Sequence, residues 1–119
     1  MDCFFVSVER ALNPTLQNKP VIVGGKPNSR GVVSACSYET RKHGIHSGLA
    51  LATAYKLYPK SIFLEPNFQA YKFYSQAVLK ILKKYIPIIE QASIDEFYLD
   101  LTGCKNLYGD LFNFTWKLK

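Results

Sequence analysis

Two adjacent carboxylates inside a strand-like run are the residues of this chain best placed to do chemistry. In Ser93-Ile94-Asp95-Glu96-Phe97-Tyr98-Leu99-Asp100-Leu101, apolar and polar residues alternate at the period of a half-buried strand. Asp95 shares its parity with Phe97, Leu99 and Leu101 and falls on the apolar side, while Glu96 goes with Tyr98 and Asp100. A carboxylate on an apolar face is costly unless it is paired or bound to a metal. For both acids to reach one ion, the backbone must bend near residues 94–96, which points to a divalent-cation site at a hairpin corner. A solvated turn is the commoner origin of an Asp-Glu pair, and on these residues alone that reading stays open.

A second constellation lies in residues 30–44. Tyr38 and Arg41 stand three apart on one helical face, close behind Ser34 and followed by Lys42. A guanidinium gives bidentate charged hydrogen bonds to a phosphate group, and a phenol adds one more. The plainer alternative is an exposed Tyr/Arg helix face.

Short strands and helices must position these groups. Met1 to Val6 looks like the end of a strand, after which Phe5, Val8 and Leu12 recur at helical spacing until Asn13-Pro14 stops the helix. Pro20–Gly25 and Val32–Cys36 read as two adjacent strands joined by the polar turn Lys26–Gly31. Ser37 is placed to cap a helix over Tyr38–His43, with Gly44 as its stop. A helix over Leu49–Tyr58 and a strand over Ser61–Glu65 follow. Asn67 then caps the longest helix, whose stripe of Phe68, Tyr71, Tyr74, Val78, Ile81 and Tyr85 reads as core packing. Pro87–Ala92 and Ile94–Leu101 form two strands around the acidic pair, and Asp110 starts a last helix. Strands alternating with helices imply an α+β (mixed α/β) fold. No repeat or linker is evident, and both ends cut through secondary structure, so the chain is expected to be a piece of a larger protein.

Bulk properties narrow the partners. The 119 residues are 48% apolar and 14% aromatic, enough for one small domain. Fifteen Lys and Arg against nine Asp and Glu give a net charge of +6, and the isoelectric point is near 9.3. That balance favours a polyanionic partner, nucleic acid or nucleotide. Cys3, Cys36 and Cys104 are odd in number and widely separated, which argues against a disulfide framework or zinc site and for a reducing, cytoplasmic setting. His43 and His46 read as surface histidines. No run approaches about 18 consecutive apolar residues, and no basic segment precedes an apolar one at the N-terminus, so neither export nor a membrane span is expected.

Taken together, Met1-Asp2-Cys3-Phe4-Phe5, the run Arg30–Lys42, His43-Gly44-Ile45 and Ala92–Asp100 occur in the order and spacing of the Y-family translesion DNA polymerases, most closely those of bacteria, and the chain resembles that family along nearly its whole length. The resemblance implies a partial palm over 1–12 and 62–119 with an inserted fingers subdomain over 13–61. It implies that Asp95 binds metal, that Glu96 beside it is catalytic and completes the carboxylate set, and that the Met1 main-chain carbonyl also touches a metal. Phe5 matches the steric gate against the sugar of the incoming nucleotide, and Tyr38 and Arg41 match residues that contact the triphosphate. A threonine common in the family is Ala35 here, with Ser34 beside it as a substitute. The family's first metal-binding aspartate belongs immediately before the residue matching Met1, and Asp2 aligns with the following, lesser acidic position. Two Mg²⁺ ions, a dNTP, primer-template DNA and, for the full-length protein, a sliding clamp are the implied cofactor and partners. The fragment by itself is expected to be inactive. A non-catalytic nucleotide- or nucleic-acid-binding module of the same fold is the competing reading. A nucleotidyl cyclase is disfavoured by the Phe5, Tyr38 and Arg41 set.

Overall fold

Helix α1 (Phe4–Leu12) opens the chain, in a computed structural model that describes residues 1–119. The strand expected over Met1–Val6 does not form. Cys3 takes a left-handed conformation (φ 47°, ψ 38°), and its carbonyl accepts from Ser7 N at 2.8 Å, so the chain turns directly into the helix. Two of the side chains that suggested a strand, Phe4 and Val6, are buried from the helix instead, because packing overrides local strand preference. Asn13 and Pro14 end α1 as expected, and a 3-10 turn follows over Pro14–Leu16.

The chain divides into two compact units, Met1–Tyr71 and Lys72–Lys119. In the first, strands β1 (Val21–Val23), β2 (Ala35–Cys36) and β3 (Ile62–Leu64) form a sheet of order β2-β1-β3. β1 runs antiparallel to β2, pairing Ile22 with Cys36, and parallel to β3, pairing Ile22 with Phe63. The first pairing is the adjacent pair read from the sequence, although β2 is shorter than expected and Val32 instead bridges Ala50. Val21, Ile22 and Val23 are all fully buried, as suits a central strand covered on both faces. Helix α1 packs against β1 and β2. Ile22, Val33, Cys36, Ile45, Leu51 and Ala54 form the core, with Leu49, Tyr58 and Phe63 around it. At Gly24 the chain leaves β1 so close to its neighbour that a Cβ there would lie 2.5 Å from the Val32 carbonyl oxygen.

Helices α2 (Tyr38–Arg41) and α3 (Leu51–Leu57) complete this unit. Ser37 stands at the start of α2 without capping it. Its buried hydroxyl accepts from Val21 N at 3.0 Å, and its amide donates to the Val21 carbonyl, so the sheet edge claims the residue. Gly44 ends the turn as expected, with φ +82° and its amide on the Arg41 carbonyl.

Helix α4 (Phe68–Tyr85) begins in the first unit and continues in the second. Asn67 accepts from Ala70 N at 3.1 Å, the cap read from the sequence. The proposed core stripe is only partly right. Tyr71 is buried, whereas Phe68, Ile81 and Tyr85 are exposed. The buried line runs instead through Tyr71 and Ser75, four residues apart, because Ser75 spends its hydroxyl on the neighbouring hairpin. In the second unit β4 (Ile88–Gln91) and β5 (Phe97–Asp100) pair antiparallel from Ile88 with Asp100 to Gln91 with Phe97. A short helix α5 (Lys105–Tyr108) follows, too brief to leave a periodic signal in the sequence. Asp110 then starts α6 (Leu111–Leu118), accepting from Phe112 N at 3.0 Å and Asn113 Nδ2 at 2.9 Å. No helix is long and apolar enough to cross a membrane.

Candidate active site

Phe5 lies one residue into α1 and is half-buried. Its ring stacks face to face on Tyr71, centroids 4.2 Å apart and planes 10° from parallel. Phe68 meets both rings edge-on, at 5.8 Å from Phe5 and 5.7 Å from Tyr71. Aromatic pairs in such arrangements gain about 0.5–1.5 kcal/mol beyond burial. Tyr71 is anchored at its far end, where its phenol donates to Glu9 Oε1 at 2.6 Å. Burial, with the Glu9 carboxylate beside it, pushes the phenol well above the ordinary tyrosine range, so it remains a donor at neutral pH.

The other sequence-derived pair, Tyr38 and Arg41, is brought together as their spacing requires. The Arg41 guanidinium carbon sits over the exposed Tyr38 ring, 4.8 Å from its centroid. One Arg41 nitrogen donates to Cys3 Sγ at 3.2 Å and lies 3.9 Å from Asp2 Oδ1. Burial raises the Cys3 thiol above its ordinary pKa, with Arg41 opposing, so it stays protonated at neutral pH. A neutral thiol both accepts from Arg41 and donates to the Cys36 carbonyl, here at 3.5 Å. The chain start and α2, with the residue Cys36 that leads into it, are thereby held together two residues from Phe5. Ser34 follows β1 closely, its amide donating to the Val23 carbonyl and its own carbonyl accepting from Ser47 Oγ at 3.1 Å.

Arg10 ties the scaffold beneath this cluster. It donates to the Leu16 carbonyl at 3.1 Å, the Lys19 carbonyl at 2.9 Å and Glu39 Oε2 at 3.1 Å. Burial pushes the Glu39 carboxyl up, but hydrogen bonds from its own backbone, Arg10 and Ser37 outweigh it and hold the group below the usual glutamate value.

In the second unit the backbone bends at the acidic pair. Strand pairing stops at Gln91 and Phe97, and the Glu96 carbonyl accepts from both Ala92 N at 3.0 Å and Ser93 N at 3.3 Å. Asp95 is half-buried and accepts from Ser93 Oγ at 3.0 Å, while Glu96 is exposed. Beyond the bend, Phe97 and Leu99 are half-buried and Tyr98 and Asp100 exposed, the parity read from the sequence. Ser75 on α4 holds the bend, donating to the Ile94 carbonyl and accepting from Gln91 Nε2 at 3.0 Å.

Asp95 and Glu96 offer hard carboxylate oxygens on a chain reversal, a donor set that suits Mg²⁺ and not a soft metal. Neither unit gathers three His, Cys, Asp or Glu side chains into one group. Met1, whose main-chain carbonyl the resemblance assigns to a metal, belongs to the first unit, and Asp95 and Glu96 to the second. The sequence reading missed Glu9, Cys3 and Ser75 and treated Tyr71 as core alone. Only the spacing of Phe5 and Glu9, one turn apart on α1, hinted at a shared face.

Comparison with known proteins covers the whole chain. The family described as impB/mucB/samB matches residues 1–119. DNA polymerase IV of Dehalococcoides mccartyi strain CBDB1 is 50% identical over 119 residues, all of this chain and 30% of that protein. DNA polymerase IV of Clostridium perfringens strain 13 is 50% identical over 109 residues, 92% of this chain and 30% of that protein. Among solved structures, DinB from Sulfolobus solfataricus superposes with a TM-score of 0.87 at 34% identity, covering 99% of this chain and 35% of that one. An insertion ternary complex of Dbh DNA polymerase gives 0.85 at 34% identity, covering 99% and 36%. The chain thus spans about a third of the length of the proteins it matches.

Proposed function

This chain belongs to the impB/mucB/samB family, and on that premise we propose that it supplies palm and fingers residues of a Y-family DNA polymerase of the DNA polymerase IV type. The activity is DNA-directed nucleotidyl transfer in translesion synthesis and DNA repair, carried out in the cytoplasm on a dNTP and primer-template DNA, with a sliding clamp as partner of the full-length protein. Palm residues run over 1–12 and 62–119 and the fingers over 13–61. The observation that carries this reading is the hydrogen bond from Arg41, at the end of α2, to Cys3, two residues before Phe5, with the Tyr38 ring against the same guanidinium.

Each residue has a task that its surroundings suit. Arg41 presents charged donors to the triphosphate and Tyr38 adds its phenol, with its ring under the guanidinium. Ser34 stands in for the family's threonine at the same phosphates. Phe5 narrows the space beside the sugar and disfavours a 2′-hydroxyl. Asp95 and Glu96 would hold Mg²⁺, with Glu96 the catalytic carboxylate, and the family resemblance assigns the Met1 carbonyl to the same metal. Bound Mg²⁺ supplies charge stabilisation at the transferring phosphoryl group.

Asp95→Ala or Glu96→Ala in the intact polymerase is expected to abolish incorporation while leaving DNA binding largely unchanged. Primer-extension and DNA-binding measurements on the same preparations check this, and retained incorporation in either variant would overturn the assignment. If the unaltered protein binds nucleotide and DNA without incorporating, it is a non-catalytic module of the same fold.

A further inference from the structure

We propose that Glu9 is a positioning residue for sugar selection, acting through Tyr71 on the gate ring of Phe5; the inference rests on the gate reading above. Phe5 and Glu9 stand four residues apart on α1 and so share one helix face. Tyr71 lies along that face and is gripped at both ends. Its ring is stacked on Phe5 at 4.2 Å, and its phenol is bonded to Glu9 at 2.6 Å. Tyr71 is fully buried, so loss of the Glu9 oxygen leaves its hydroxyl without its acceptor away from water.

The consequence for the gate is geometric. A stacked pair near 10° constrains the tilt and slide of both rings, and Phe68 closes the edge of the pair. Phe5 is only half-buried, so the ring it leans on does more to fix its position than its own enclosure does. A gate that discriminates against one hydroxyl depends on where its ring edge sits, and misplacements of about 1 Å alter rates steeply. Glu9 therefore sets the stringency of the gate without itself touching the nucleotide.

The test compares kcat/KM for dNTP with that for the matching rNTP in the intact polymerase. Phe5→Ala, the control for the gate itself, is expected to collapse discrimination; unchanged discrimination there overturns both the gate and this proposal. Glu9→Ala is expected to reduce discrimination at least ~5-fold by raising rNTP use, while Glu9→Gln, whose amide oxygen still accepts, retains most of it. Tyr71→Phe keeps the ring and removes only the hydroxyl, and it should reproduce the Glu9→Ala loss. Adding Glu9→Ala to Tyr71→Phe should change discrimination no further, since both cut the same link. A purely structural Glu9 would lower thermal stability and slow both sugars equally. That equal loss in Glu9→Ala, or normal discrimination in a folded Tyr71→Phe protein if Glu9→Ala does not fold, overturns the proposal.

Discussion

Arg41, the proposed triphosphate contact, illustrates how far a side chain's placement is set by its immediate neighbours. The guanidinium is held by the Tyr38 ring below it, the Cys3 sulfur beside it and the Asp2 carboxylate farther out. All three contacts leave its charge intact, so the group is fixed in place and remains able to meet a phosphate. The Tyr38 contact is exposed, where a cation–π pair contributes about 0.5–1 kcal/mol. Tyr38→Leu is therefore expected to raise the KM for dNTP in the intact polymerase by about 2- to 5-fold. Tyr38→Phe keeps the ring and should lose less, only what the phenol adds; equal losses in steady-state kinetics would show that the ring does not orient Arg41. The spacing of Tyr38 and Arg41 made this pair readable from the sequence. Cys3 carried no such signal, because its role depends on a left-handed turn that its residue type does not predict.

Between elements, Arg10 is the residue that fastens α1 to the segment after it and to α2. Two of its three hydrogen bonds go to backbone carbonyls and the third to Glu39. Arg10→Ala removes them together and is expected to destabilise the chain by about 1–3 kcal/mol in urea unfolding. The pH dependence follows from Glu39, whose carboxyl is held below its ordinary value. A depressed carboxylate binds fewer protons folded than unfolded, so its contribution is complete above the ordinary glutamate range and lost as pH falls from there through the lower folded value. Glu39→Gln should flatten this acid limb, leaving stability less sensitive to pH on descent from neutrality. An unchanged acid limb in the variant would assign the sensitivity elsewhere. The hairpin at Ala92–Glu96 depends on contacts between elements in the same way, since Ser75 on α4 bonds both its bend and its first strand.

For the molecule as a whole, the net charge of +6 sets a diffuse attraction to polyanions and not a site. Any association of the 119-residue chain with DNA is expected to weaken steeply as salt rises, because it rests on phosphate contacts. The chain carries Asp95 and Glu96 but spans about a third of the length of its relatives. Primer extension with Mg²⁺ by the isolated chain is accordingly expected to be undetectable. Robust template-dependent incorporation by purified chain would show that this third of the length suffices for the chemistry.

Local chemistry made much of this protein legible from residues alone. Asn13-Pro14, Asn67, Gly44 and Asp110 mark helix ends because capping and breaking act over a few bonds. The alternation of Phe97 and Leu99 with Tyr98 and Asp100 is there, because alternation along a strand is a property of the backbone. The tertiary structure decided what no short window contains. It turned Phe4–Val6 into helix, paired β1 parallel to β3, drew Ser37 to the sheet edge and exposed half of the expected α4 stripe. It also joined Tyr71 to Glu9 across 62 residues of chain. Such choices depend on which surfaces meet once the chain has closed on itself, and burial and hydrogen-bond completion there outweigh the preferences of any single residue.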